Sequence, residues 1–470
     1  MKKNLILATD AYKFSHFKQY PAETQRVYSY FSSRGGVFPA TIFFGLQYIV
    51  KEYLEGAVVT KDKIDEAENL VVGMMGSKNL FNRAGWEYIL RKHGGRLPVK
   101  INAVPEGTLV PINNVLMTVE NTDNECFWLT NYLETLLVQS WYSTTVSTQS
   151  FFIKRLLKKY LTETGGVEGL DFKLHDFGFR GVSSVESAGV GGLAHLVNFK
   201  GTDTVQALVA ARDYYGESCA GFSIPAAEHS TITSWGRENE TEAFRNMLDQ
   251  FPTGLVAVVS DSYDIFEACR TKWGKELKDK VLKRDGTLVI RPDSGDPATV
   301  VLKVLEILGT AFGTTINKQG YKELNPKVRV IQGDGVNITS IDKILNVLKQ
   351  KRWSAGNVAF GMGGALLQQL NRDTQKMAFK ASQVVIDSIP HDVYKAPITD
   401  QGKASKKGRL SLVRAENGDI LTVSEADAQG MEAMLRPVFW DGDLMVDDSL
   451  ETIRTRAASY LDSAKTPVKS

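Results

Sequence analysis

Between residues 256 and 364 the chain repeats one pattern four times. A short apolar run ends in a polar cluster: VAVVSDS (256–262), TLVIRPDSG (287–295), VRVIQGD (328–334) and NVAFGMGG (357–364). Short apolar runs bounded by turn residues suit strands buried on both faces. Their spacing, about 30 to 40 residues, is that of βαβ units. A chain with this repeat is confined to a parallel α/β architecture. Asp296 reads as the N-cap of the helix that follows the second run, with Pro297 at its first position and Gly309 at its end. Val301, Val304, Leu305 and Leu308 form its apolar face. Thr339 reads as the next cap, with Asp342 three residues on.

The polar residues fall just after each run: Ser260-Asp261, Arg291-Pro-Asp293-Ser, Gln332-Gly-Asp334-Gly and Gly361-Met-Gly-Gly364. In α/β barrels the C-terminal strand ends form the active face. Four successive ends carrying acidic, arginine or glycine groups therefore point to one shared site. Capping of the following helix is the simpler reading. It suits Asp296 and explains Arg291 and the double glycine poorly.

The stretch from His175 to Trp235 is dense in groups that suit a planar, partly charged ligand. HDFGFRG sets Phe177 and Phe179 beside the Arg180 guanidinium, whose forked donors match phosphate or carboxylate. PAAEHST places Glu228 next to His229, and GTDT carries Asp203 in a polar turn. Taken singly, His175 and Asp176 also suit a helix cap, Phe177 a core, and Asp203 the cap of a helix starting near Val205.

Elsewhere, residues 4–8 read as a short strand, 41–55, 62–75 and 126–163 as helices, and 97–120 as strands and turns. Strands return beyond 376, with a hairpin at Asn417-Gly418, and are expected to pair with those near 97–120. The fold expected is an irregular TIM-like α/β barrel with a second, discontinuous α+β domain. The divisions expected are 1–165, 166–375 and 376–470, the outer two forming that second domain.

The three cysteines, Cys126, Cys219 and Cys269, fit neither a zinc set nor a disulfide framework, so a reducing cytoplasm is expected. The opening MKKNLILATDAYK resembles a secretory leader only briefly, since Asp10 and Lys13 interrupt it. No apolar run reaches membrane-spanning length, so no membrane association is expected. A net charge of +2, with basic residues concentrated only at 403–414, argues against nucleic acid. The loop 402–409 is a solvated face on its composition alone. No GxxxxGK[ST], HExxH or EF-hand pattern occurs, so neither a P-loop nor a protein-built metal site is expected.

HDFGFRGVSS, HLVNFKGTDT, PAAEHSTIT, VVSDSYDIF, IRPDSGDP, RVIQGDGVN, AFGMGGALLQ and SKKGRLSL occur in that order, after LILATDAYKFSHFKQYP near the start. Together they resemble the nicotinamide phosphoribosyltransferase family, over most of the chain. Its members join nicotinamide to phosphoribosyl pyrophosphate, giving the mononucleotide and pyrophosphate, on an irregular α/β barrel.

That chemistry needs cations for pyrophosphate, backbone N–H donors for the 5-phosphate, carboxylates for the ribose and a clamp for the ring. Gly363 and Gly364 suit the 5-phosphate. Asp293, Gly333 and Asp334 suit the ribose. Arg180, Arg291 and His229 suit phosphates, and Phe177 suits one ring face. The resemblance further implies that Tyr12 from a neighbouring subunit covers the other face, so that the sites lie at a homodimer interface. It implies that Arg34, Arg372, Lys380, Lys395 and Lys403 hold donor phosphates, and Ser223 is counted with the phosphoribosyl-binding set. Asp203 would accept from the carboxamide N–H₂, with Arg291 also on the nicotinamide side. His229 would be phosphorylated by ATP, with Glu228 and Asp261 around it, and Mg²⁺ would accompany the pyrophosphate. Ala257 stands where the family often has serine, which leaves the amide channel in doubt. Three rival readings are a nicotinate-specific relative, disfavoured by the charge of Asp203; a sugar-phosphate aldolase or isomerase, with Lys380 its only base; and a non-catalytic nucleotide sensor.

Overall fold

The computed structural model describes residues 4–399 and 404–462. These residues form two compact units, one of residues 149–212 and 218–369, the other of residues up to 148, 213–217 and from 370 onward.

The first of these contains six parallel strands. Their order across the sheet is Gly201–Thr202, Leu174–Asp176, Val358–Met362, Val328–Gln332, Asp285–Arg291 and Thr253–Val259. The segment after Ala220 then joins the two edges. Phe222 bridges to Gly201 on one side and Ala226 to Ala257 on the other, with Phe222 N donating to Lys200 O and Ala257 N to Pro225 O. The sheet so closes into an irregular barrel, as the repeat implies. Ala257, Val289 and Ile331 are buried on one face, with Phe177, Ile224 and Ala359 packed against them.

All four predicted strands form, each within a few residues of its expected bounds. Asp296 caps the helix Pro297–Phe312, its carboxylate accepting from Thr299 N at 3.1 Å. Val301, Val304, Leu305 and Leu308 are fully buried, each worth about 1.5–3 kcal/mol of transfer free energy. The helix does not end at Gly309. A Cβ there would lie 2.8 Å from Trp353 Cη2, so this glycine admits the indole, and Gly313 terminates the helix. The next cap is Asn337, not Thr339. Its side chain accepts from Thr339 N and Ser340 N, and Ser340 returns a bond to Asn337 N.

The other unit is built on a seven-stranded antiparallel sheet. Its order is Ile389–Asp392, Met377–Ile386, Thr24–Ser33, Val115–Asn121, Val99–Ala103, Arg436–Trp440 and Asp443–Leu444. Pairing of late with early strands is as expected, Arg436–Trp440 lying on Val99–Ala103. The central strand Thr24–Ser33 was not foreseen, because buried on both faces it shows no alternation. Residues 5–7 form a 3₁₀ turn rather than a strand, since Asn4 caps them through Ile6 N. Residues 40–42 are a strand, and helix begins only at Leu46, behind Gly45 at φ 98°. Helices occupy Lys61–Met75 and Ser140–Thr164, and Gly418 turns the expected hairpin at φ 83°.

Candidate functional site

Six strand ends and the closing segment converge at one end of the barrel. Phe177 leaves the first strand with its N–H on Met362 O at 3.0 Å. Its ring occupies the space over the neighbouring strand, where a Cβ on Gly361 would lie 1.9 Å from Cε2. A Cβ on Gly333 would lie 3.1 Å from Asp293 Oδ1, 3.5 Å from the Phe177 ring and 3.7 Å from Arg291 Cδ. One glycine thus marks where Phe177, Arg291 and Asp293 meet. On the other side, a Cβ on Gly181 would lie 3.2 Å from Gly364 Cα, and one on Gly363 3.7 Å from Phe177 O, which brings the Arg180 turn to the double glycine. Gly363 precedes a short helix, Gly364–Leu367. Arg180 is exposed and has no ion-pair partner among the described residues.

Burial pushes the Asp293 carboxyl above its usual range. Arg291 opposes the shift, and the charges of Asp261 and Asp334 add to it. Arg291 lies 3.5 Å from Asp293, and its Nε is buried without a hydrogen-bond partner. Asp261 is shared. Oδ1 lies 3.0 Å from His229 Nε2, and Oδ2 accepts from Ser294 Oγ at 2.6 Å. The Asp261 side chain is 4% exposed and that of His229 47%, so the carboxylate is set and the imidazole open. Glu228 accepts from Ser230 and adjoins the five-residue helix that His229 opens.

Asp203 follows the edge strand, its N–H on Asp176 O at 3.0 Å. Its carboxylate does not cap the helix from Val205 but receives His175 Nε2 at 3.0 Å and the Ser223 hydroxyl. Burial disfavours its charge, yet the His175 bond and charge, with Ser223 and Arg291, hold the carboxyl below its usual range. Asp176 is fully buried, accepting from Gly178 N and Thr202 Oγ1, so it shapes the turn that presents Phe177. His175 and Ser294 were missed as site residues. Their only signal in the sequence was adjacency, one to the HDFG turn and one to Asp293.

The other predicted residues belong to the antiparallel unit. Tyr30 and Lys380 are register partners, and Arg34 follows the same strand, its N–H on Lys376 O. Burial lowers the Lys380 ammonium; Glu134 opposes this, while Arg34, Lys395 and Arg372 add to it. The four cations therefore form one electrostatic group. Lys403 lies outside the described residues. Lys406 donates its backbone N–H to Tyr30, while Arg409 is forked onto Glu120 and also bonded to Glu425, so Arg409 is structural. Tyr12 is 59% exposed. Its neighbour Lys13 is buried and bonded to Glu134 at 2.7 Å and Asn131 O at 2.8 Å. Among the described residues no group of three or more ligating side chains is placed to hold a metal, and no helix is long and apolar enough to cross a membrane.

A profile of the nicotinate phosphoribosyltransferase (NAPRTase) family matches residues 172–443, and one of the N-terminal domain of nicotinamide phosphoribosyltransferase matches residues 4–101. A nicotinamide phosphoribosyltransferase of Xanthomonas campestris is 51% identical over 97% of this chain and 98% of its own. That of Acinetobacter baylyi is 34% identical over 98% of each. Among solved structures, a nicotinate-nucleotide pyrophosphorylase from Pyrococcus furiosus superposes with a TM-score of 0.62 at 16% identity, covering 99% of this chain and 97% of that one. Human nicotinic acid phosphoribosyltransferase gives 0.56 at 15%, covering 96% and 93%. These two share the fold. By sequence, the chain belongs to the nicotinate phosphoribosyltransferase family and groups with its nicotinamide phosphoribosyltransferases.

Proposed function

We propose that the protein transfers the phosphoribosyl group of phosphoribosyl pyrophosphate to nicotinamide, forming nicotinamide mononucleotide and pyrophosphate. The bond from the anomeric carbon to pyrophosphate breaks, and a bond to the pyridine nitrogen forms. The observation that carries this reading is the Asp203 carboxylate, bonded to His175 at 3.0 Å, whose ring packs on Phe177 at 5.2 Å. An ionised carboxylate only accepts hydrogen bonds; nicotinamide offers it an N–H₂, and nicotinate a second negative charge.

Phe177 stacks one ring face, and Arg291 lies on the same side. Asp293, Gly333 and Asp334 take the ribose. Gly363 and Gly364 receive the 5-phosphate, Arg180 binds phosphate, and Ser223, also bonded to Asp203, counts with the phosphoribosyl-binding set. Arg34, Arg372, Lys380 and Lys395, with Lys403, hold the remaining phosphates. Mg²⁺ would travel with the pyrophosphate and neutralise it. His229, backed by Asp261 and flanked by Glu228, is the phosphoryl acceptor when ATP is used. Tyr12 closes the ring site of a partner subunit in a homodimer. Cys126, Cys219 and Cys269 form no disulfide among the described residues, which fits a cytoplasmic enzyme.

The test is incubation with phosphoribosyl pyrophosphate, Mg²⁺ and either nicotinamide or nicotinate, with the product weighed by mass spectrometry. Nicotinamide mononucleotide is expected. Nicotinate mononucleotide alone would overturn the substrate reading. Asp203→Ser should lower the preference for nicotinamide about 10-fold or more, the worth of a hydrogen bond to a charged group.

A further inference from the structure

His175 is bonded to Asp203, and the chemistry above gives it no role. It lies one residue before the end of its strand, in register with Gly201 on the edge strand that leads to Asp203. Its ring is held from two sides. A Cβ on Gly201 would lie 2.7 Å from Nδ1 and 3.3 Å from Cγ, so the imidazole lies flat on bare backbone. The Phe177 ring packs at 5.2 Å and 57°. The His175 side chain is 15% exposed, that of Asp203 44%. A rigid donor thus meets an accessible acceptor.

The two oxygens of Asp203 are not equivalent. Oδ1 receives both His175 Nε2 and the Ser223 hydroxyl. Oδ2 receives nothing from the described residues. We propose that His175 is a positioning residue for substrate choice. It fixes Asp203 through Oδ1 and so leaves Oδ2 as a bare acceptor for the carboxamide of nicotinamide. The inference rests on the reading of Asp203 given above. Because the imidazole also packs on Phe177, one side chain couples the stacking ring to the group that reads the amide. Nε2 carries the proton in this bond, since an ionised carboxylate has none to give. Without that donor, Asp203 rotates about its side-chain bonds and its charge loses its main counterweight, which weakens the bond to the amide and the exclusion of nicotinate together.

Steady-state kinetics with both ring substrates test this in the full-length enzyme. His175→Phe should raise KM for nicotinamide about tenfold, leave kcat and the KM for phosphoribosyl pyrophosphate within about twofold, and lower the preference for nicotinamide. His175→Gln, whose amide nitrogen can take the place of Nε2, should recover most of the loss. In an Asp203→Ser background, adding His175→Phe should change nothing further, because the two act as one unit. An unchanged KM for nicotinamide, a fall confined to kcat, or an undiminished loss in the Asp203→Ser background would overturn the proposal. Should His175→Phe fail to fold, His175→Asn, polar but too short to reach Asp203, takes its place with the same expectations. If Asp203→Ser shifts the preference and His175→Phe does not, the His175 inference alone falls. If Asp203→Ser leaves the preference unchanged, the amide is read elsewhere and both fall.

Discussion

His229 and Asp203 are each bonded to a second titratable side chain, and the more exposed member of each pair is the one proposed above to meet a ligand. His229 is open while Asp261 beneath it is set by Ser294. His229→Ala should lower basal transfer and abolish stimulation by ATP, measured as initial rates with and without ATP. Persisting stimulation would remove the phosphohistidine role. A different residue governs stability. Glu106 is buried, and burial pushes its carboxyl up to about 7. Bonds from Gln47 N, Tyr215 OH and Gly45 N oppose the shift, and Asp448 adds to it. A carboxyl raised on folding contributes stability that is complete below its unfolded pKa and is lost as pH rises through the folded one. Stability should therefore fall by an amount on the order of 3 kcal/mol as pH rises from 4.5 to about 7, read as a lower thermal midpoint. Glu106→Gln should flatten that fall; an unaltered slope would assign it to other groups.

At the scale of elements, the site depends on where strands stop. Each parallel strand ends in residues that need not pack, and the turn that follows either caps a helix or faces the barrel end. Asp296 does the first and Asp293, two residues past its strand, the second. Both were legible in the sequence as polar groups after apolar runs. What told them apart was Gly333, whose bare backbone lets Asp293 and Phe177 approach. The same logic makes Gly361 a requirement. A methyl group there would overlap the Phe177 ring, so Gly361→Ala should displace the ring and raise KM for nicotinamide about tenfold, with KM for phosphoribosyl pyrophosphate unchanged. Equal loss toward both substrates would show that the strand, not the ring, had been disturbed.

At the scale of the whole molecule, the proposed homodimer would divide the work of the N-terminal segment between neighbours. Lys13 anchors it through Glu134 and Asn131, while Tyr12 is exposed and lies against His16 and Lys13. An exposed aromatic held on a fixed backbone suits completion of a partner's site. If the proposed dimer holds the site, activity should fall on dilution, and Tyr12→Ala should raise KM for nicotinamide without changing the melting temperature. Full activity in a particle shown to be monomeric by sedimentation would reject the shared site.

The sequence by itself determined the barrel. Four apolar runs at βαβ spacing have few ways to bury themselves other than as parallel strands, and the polar residues after them have nowhere else to lie than at the strand ends. It also carried Phe177, Asp203, His229 and Asp293 as candidates, because their types suit the chemistry. It was silent on the strand Thr24–Ser33, where burial on both faces removes the period of two that marks a half-buried strand. The Asp296 cap was read in place, while Thr339 was read for Asn337 and Gly309 for Gly313, because capping depends on which backbone N–H groups a side chain reaches. Tertiary structure alone decided that Phe222–Ala226 closes the barrel, that Arg409 is spent on Glu120 and Glu425, and that His175 stands behind Asp203. Each is a contact between residues far apart in the chain, set by distance and direction in the folded protein, and no local pattern encodes it.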